Sequence, residues 1–414
     1  MKTTTYLLLV SGYFQLSFFG WLPREVKFLG DLSLFLLLFY LLLLPSPEIN
    51  FSFKEMKARK ITKIFLIAFS LFLSFQILFS IITWGEPFLV LRQARRWIVI
   101  SCYFMIILSN KVYLFDSKLI LKNALVVLFI LLVNIFIYQI GSKVPFGDSI
   151  YQAQGGVVVY KLFFPGIFII YIFLMYFGID VFTESKLSKS NKKNITFFVL
   201  LLLTVLLFLP FRSWVIASFI SIFLAILIYL VSQKSSKRNL VWKTLTMVSC
   251  IFIALIITNR TDWLKSSFYD FENIQGSYLH RLINDITKLD VFNNSEYLIN
   301  GIGFVHKSSA GADFLGFSSE TNETGWIELV ISGGIIGTVI FIGFYISIFV
   351  YLVNLFKKTN CKNILIILSV WLMSGVLMIS SNLLLWDFGF VPITFIFIVF
   401  LNECKDTYEK NIDR

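Results

Sequence analysis

Charge is what this sequence has least of. Of its 414 residues only 14% are charged while 57% are hydrophobic, and a water-soluble chain of this length needs far more charge to cover its surface. The solvent is therefore lipid. Cysteine is scarce, with four in the chain. Cys102 and Cys250 fall inside apolar runs, and Cys361 and Cys404 lie in or beside segments that read as cytoplasmic, so no disulfide framework is implied. Histidine is scarcer still, and neither His280 nor His306 stands at zinc spacing from a cysteine. There is no internal repeat and no low-complexity tract beyond richness in Leu, Phe and Ile, and no soluble domain of any size is expected at either terminus.

What the sequence does have is apolar stretches near 20 residues long, each able to cross a ~30 Å hydrocarbon core. They predict spans at 5–21, 29–45, 63–82, 97–110, 123–140, 162–181, 195–210, 214–231, 243–258, 325–353, 364–381 and 388–402. The expected fold is all-α, a polytopic integral membrane protein of about twelve helices forming one membrane domain over 1–414. The first stretch follows Lys2 as a signal peptide would, but no small-x-small cleavage site comes after it, so it reads as a retained helix. With both termini in the cytoplasm, the cytoplasmic segments collect 23 of the 36 basic residues. That is the expected positive-inside bias. The basic balance thus follows from topology and anionic inner-leaflet lipid, and it excludes nucleic acid as the reason for the charge.

One connection departs from the pattern of short loops. Residues 259–325 form a large external loop between the ninth and tenth spans, with both histidines and many aromatics, including Trp263, Phe268, Tyr269, Phe271 and Tyr278. Loops of this length are functional or disordered; the aromatic content favours order, with short helices such as 277–289 packed on the membrane domain.

The arginines are on the wrong side. Seven of ten (Arg24, Arg92, Arg95, Arg96, Arg212, Arg260 and Arg281) fall externally, against six of 26 lysines. Arginine's planar fork grips phosphate bidentately and stays charged at any relevant pH, so this asymmetry suits a lipid-linked phosphate or pyrophosphate. Arg92, Arg95 and Arg96, at i, i+3 and i+4, share a helix face at the membrane boundary and serve either as interfacial anchors beside Trp97 or as a binding set. Arg212 sits in a very tight external turn, LPFRSW, as an anion ligand or an anchor. Arg281 alone is an ordinary surface arginine.

Three segments, in this order, resemble the O-antigen polymerase and O-antigen ligase superfamily of bacterial envelope glycan enzymes. The first is an arginine after a helix end followed by Ser-Trp, here FRSWVIA. The second is an arginine ahead of a short helix and a glycine pair, here GSYLHRLINDITKLDVFNNSEYLINGIGF. The third is the loop's exit, TNETGWIELVISGGIIGTVIFIGF, similar to the ligase pattern of His-Asn followed by Gly-Ile-Ile-Gly. The similarity covers roughly residues 195–345. It departs from the ligases where they have His-Asn and this chain has Thr321-Asn322, which favours the polymerase.

That resemblance implies a GT-C-like glycosyltransferase in the bacterial inner membrane. Its donor would be a glycan on undecaprenyl pyrophosphate, with no cofactor, nucleotide sugar or metal; membrane lipid and a chain-length regulator protein are the partners it admits. By position, Arg212 and Arg281 match the family's pyrophosphate-binding arginines, with Arg92, Arg95 and Arg96 in support. Glu320 and Glu323 flank Asn322 and are candidates for a general base, or else solvate the loop end. Glu328, one turn into an apolar span, must be paired or line a polar cavity. Gly333, Gly334 and Gly337 read as close helix packing, and Gly301-Ile302-Gly303 as a turn. A ligase acting on lipid A-core and, from another class, a flippase for the same lipid-linked sugars are the competing readings.

Overall fold

In hydrocarbon, a run of Leu, Ile and Phe can satisfy its own backbone polar groups only as a helix or a closed barrel, and this chain takes the first course. A computed structural model describes residues 2–16, 27–45, 57–139, 148–154, 157–163, 167–183, 189–208, 212–232, 297–315, 325–378 and 387–412. The elements are α1 (Lys2–Gln15), α2 (Lys27–Leu43), α3 (Lys57–Trp84), α4 (Pro87–Leu108), a 3-10 turn (Asn110–Leu114) and α5 (Ser117–Gln139). Strands β1 (Asp148–Gln154) and β2 (Val157–Phe163) follow, then α6 (Phe168–Thr183), α7 (Lys189–Phe208) and α8 (Arg212–Ser232). The chain continues with α9 (Ala310–Leu315), α10 (Gly325–Thr359), α11 (Lys362–Leu377) and α12 (Asp387–Ile412).

Among the described residues, four helical stretches are long and apolar enough to cross a membrane: Lys57–Trp84, Ser117–Ile135, Trp214–Ser232 and Gly325–Thr359. The expected span 243–258 lies outside the described residues; a helix overlies each of the other expected spans, with shifted ends. The largest shift at a helix start is in α4, which begins at Pro87 and not at residue 97. Proline is at home in a first helical turn, where its missing N–H has no partner to lose, and it carries the helix through the three arginines.

The outer surface is inverted relative to a soluble protein. Leu42, Ile82 and Phe88 are each more than three-quarters exposed, as side chains facing lipid are. The centre is α11, packed against α6, α8, α10 and α12. Ile364 through Leu368, Val370, Met373 and Leu377 are all wholly buried, so this helix is apolar all round because protein surrounds it. Trp371 anchors it, with its ring stacked on Tyr345 of α10 at 4.6 Å. The Trp371 indole N–H donates to the Tyr345 carbonyl at 3.1 Å, and the Tyr345 hydroxyl donates back to the Trp371 carbonyl. Such a pair adds roughly 0.5–1.5 kcal/mol beyond its area, and both polar tips are satisfied in place.

One element departs from an all-α reading. β1 and β2 form a two-stranded antiparallel hairpin, with Asp148 opposite Phe163, Tyr151 opposite Tyr160 and Gln154 opposite Val157. The sequence between them, Gly155-Gly156, is what a two-residue hairpin connection demands.

The helix ends segregate by charge. Lys57, Lys60 and Lys63 begin α3, Lys357 and Lys358 end α10, and Lys362 begins α11. This lysine-rich end ties down the irregular backbone after α4 with side chains. Arg59 donates to the Leu108 carbonyl at 3.0 Å. Thr4 donates to Leu114 at 2.9 Å, and Asn402 to Val112 and Phe115 at 3.3 and 3.1 Å.

Candidate functional site at the arginine-bearing end

The opposite end holds Arg92, Arg95 and Arg96, in the first half of α4, and Glu328, in the first turn of α10. Adjacent helical residues point about 100° apart at 3.6 residues per turn, so Arg95 and Arg96 diverge. This corrects the expectation of one shared face. Arg95 reaches across to α1 and α2. Its Nε donates to Asp31 Oδ2 at 2.5 Å, and its Nη2 to Asp31 Oδ1 at 2.9 Å and Gln15 Oε1 at 2.7 Å. Gln15 Nε2 completes the ring by donating to Asp31 Oδ1. The bidentate fork and the closed amide make this a geometrically specific network.

Arg96 turns the other way. Its Nη2 donates to Glu328 Oε1, with the Glu328 side chain almost wholly excluded from solvent. A carboxylate at that depth needs its cation: removing one partner of a buried pair costs about 3–5 kcal/mol. Trp97 and Trp326 flank the pair in sequence, and both pack edge-on against Phe341. Arg92 is exposed.

Beyond Glu328, α10 is broken. Gly334 has φ 62° and ψ −164°, a combination essentially reserved for glycine. A break inside a membrane-spanning helix frees carbonyls on one side and amides on the other. Residues 297–303, the return of the large loop, fill both sets. Ile302 and Gly303 donate their N–H groups to the carbonyls of Ile331 and Ser332 at 2.9 and 3.1 Å. Ile335 and Ile336 donate to the carbonyls of Leu298 and Ile299 at 3.1 and 3.2 Å. The loop is stitched into the helix.

Glycine makes this approach possible. Gly301 and Gly303 have φ of 80° and 75°, and a Cβ on Gly301 or Gly334 would collide with the other strand's backbone. Gly301-Ile302-Gly303 is thus more than a turn; of the three helix glycines Gly334 packs against the loop backbone and Gly337 against the Phe72 ring of α3. From α3, Gln76 donates to the Asn300 carbonyl, Ser80 Oγ accepts from the Phe304 N–H at 2.8 Å, and Trp84 Nε1 donates to the Ile302 carbonyl at 2.9 Å. Three helical turns of α3 are therefore committed to one stretch of loop.

The chain then turns at His306, which is buried. Its Nδ1 accepts the Ser308 N–H at 3.1 Å, and its carbonyl accepts from Ser309 N and Oγ at 3.0 and 2.7 Å. Ser309 in turn accepts the Ala312 N–H at 3.4 Å at the start of α9.

The structure therefore brings Arg96 and Glu328 together and sends Arg95 to Asp31. Arg212 starts α8, two residues before the buried Trp214 that packs on Phe168 and Tyr171; its side chain lies outside the described residues. So do Arg281, Glu320, Asn322 and Glu323. Sequence reading missed Asp31 and Gln15 as partners, although an acid and an amide inside predicted spans are the signal that finds them. Among the described residues, no group of three or more His, Cys, Asp and Glu side chains could hold a metal ion. No protein-family model matches the chain, and no curated protein matches it.

Proposed function

We propose that this chain is a polysaccharide polymerase, a membrane glycosyltransferase that joins undecaprenyl-pyrophosphate-linked repeat units on the outer face of a bacterial inner membrane. The observation that carries the reading is the loop stitched into broken α10 beside the Arg96–Glu328 pair. Non-helical backbone at membrane depth is tolerated only where protein buries it or where it lines a cavity, so a chain that builds it is positioning something at that end. The arginine asymmetry and the resemblance in 195–345 supply the substrate class.

In the proposed reaction a sugar hydroxyl of one lipid-linked unit attacks the anomeric carbon of another. The bond from that carbon to the pyrophosphate oxygen breaks, and undecaprenyl pyrophosphate leaves with the electron pair. Negative charge grows on the leaving group, so preorganised guanidinium groups stabilise the transition state more than the ground state. Arg95 and Arg96 are each neutralised by a carboxylate, Asp31 and Glu328. They therefore act by fixing α4, while Arg92, Arg212 and Arg281 are the arginines assigned to the pyrophosphate. Glu320 or Glu323 takes the hydroxyl proton, and Asn322 holds the acceptor. Both termini face the cytoplasm in this reading.

Deletion of the gene tests it. Surface glycan capped at a single repeat is the expected result. Complete loss of glycan attached to lipid A-core would instead mark a ligase, and repeat units trapped on the cytoplasmic leaflet a flippase.

A further inference from the structure

At the lysine-rich end, the turn between α10 and α11 meets α12 at two cysteines far apart in the sequence. Cys361 is the N-cap of α11 and is partly exposed; Cys404, on α12, is fully buried. They converge on one hydroxyl. Thr359 Oγ1 accepts the Cys361 N–H at 3.2 Å and lies 3.6 Å from Cys404 Sγ. Each thiol acts on the titration of the other, drawing Cys361 down and pushing Cys404 up.

The two sulfurs are not equivalent. Around Cys361, the neighbouring Cys404 thiol and, after it, the N–H dipoles of Asn363 and Ile364 at the start of α11 favour the thiolate. They hold its pKa below the usual thiol value against the opposing charge of Glu403 and the effect of burial. Cys404 is pushed the other way, because the Cys361 sulfur beside it favours its protonated form and it sits in a dry environment. An accessible low-pKa thiolate beside a buried protonated thiol is the arrangement of an attacking and a resolving cysteine.

We propose that Cys361 and Cys404 form a hydroperoxide-sensitive thiol pair, with Cys361 attacking and Cys404 resolving. The Cys361 thiolate displaces hydroxide from hydrogen peroxide and becomes the sulfenic acid. The Cys404 sulfur then attacks that sulfur, its proton leaves with the hydroxyl as water, and the disulfide closes. Overall, two thiols and one peroxide give one disulfide and two waters; the pair loses two electrons to the peroxide oxygen. The bond ties the α10–α11 turn to α12. This inference is independent of the glycan chemistry. With the orientation proposed above the pair faces a reducing compartment and rests as a dithiol.

The test uses full-length protein in native membranes, treated with hydrogen peroxide, blocked with N-ethylmaleimide and mapped by mass spectrometry. The expected result is loss of alkylation at both cysteines together, a Cys361–Cys404 linked peptide, and full recovery with dithiothreitol. In Cys404→Ser, dimedone should trap sulfenic acid on Cys361; in Cys361→Ser, Cys404 should stay alkylatable. A dimedone time course on the unaltered protein, with a transient adduct at Cys361 alone, gives the same answer should either variant fail to accumulate. Both cysteines still alkylated after peroxide, a disulfide already closed in untreated membranes, or irreversible oxidation of Cys361 without pairing would each overturn the proposal.

Discussion

The two ends of the bundle handle irregular backbone in opposite ways. At the lysine-rich end, the turn after α4 is satisfied by side chains, from Arg59, Thr4 and Asn402. At the arginine-bearing end, the break in α10 is satisfied by another stretch of backbone, residues 297–303. Side-chain caps tolerate drift, because a long side chain can follow a shifted carbonyl. Backbone pairing does not: it fixes register, requires glycine where strands touch, and holds its surroundings in one geometry. That rigidity is what a site needs, and the carboxylate–arginine pairs lie at the same end.

Substitutions at the two ends should expose this difference. The largest effect is expected from Arg96→Ala, which leaves Glu328 buried without its cation and should cost about 3–5 kcal/mol, read as a fall in thermal midpoint in detergent. Arg96→Met with Glu328→Met should recover most of that loss, since apolar replacement of a whole buried pair is nearly neutral; failure to recover would show that Glu328 answers to more than Arg96. Gly334→Ala comes next. It forces an L-residue into a glycine-only conformation, at about 3 kcal/mol, and should also expose residues 297–303 to protease.

At the other end, Asn402→Ala leaves two carbonyls without that donor and should cost about 1–3 kcal/mol, with protease resistance of the loop unchanged. A cost equal to that of Gly334→Ala would erase the contrast between the ends. Smallest is Gln15→Leu, which removes one member of the Arg95–Asp31 ring at about 1 kcal/mol. Alkylation of Cys361 supplies a pH readout with no stability change: its lowered pKa places the rise in rate with pH below that of an ordinary thiol, and Cys404→Ser should move it back upward.

The helices were legible because hydropathy is local. A run such as ILIILSVWLM announces α11 whatever surrounds it. What packs where is not local. Nothing near Arg96 in the sequence points to Glu328, and nothing near Cys361 points to Cys404. The break at Gly334 hid inside SGGIIG, a string that serves close helix packing equally well, and only the return of residues 297–303 decides between the two. The hairpin was missed for a different reason: Gly155-Gly156 ahead of the β-branched and aromatic run VVVYKLF is a strand signal, overshadowed by the apolar stretch that follows. Asp31 could have been found, since an acid inside an apolar span must have a partner.

The stitch also sets an order of events during synthesis. Gln76 waits on α3 for the Asn300 carbonyl, which lies 224 residues later in the chain. At about 5–20 residues per second that separation is roughly 11 to 45 seconds, in which α3 is already made and its polar partner is not. Ser80 bridges the interval by bonding its own helix at the Gln76 carbonyl, 2.6 Å away; the Gln76 amide has no such local recourse. A nascent chain stopped before residue 297 therefore carries a buried-type glutamine in lipid, and the early half of this protein depends on the late half to become fully compatible with the membrane.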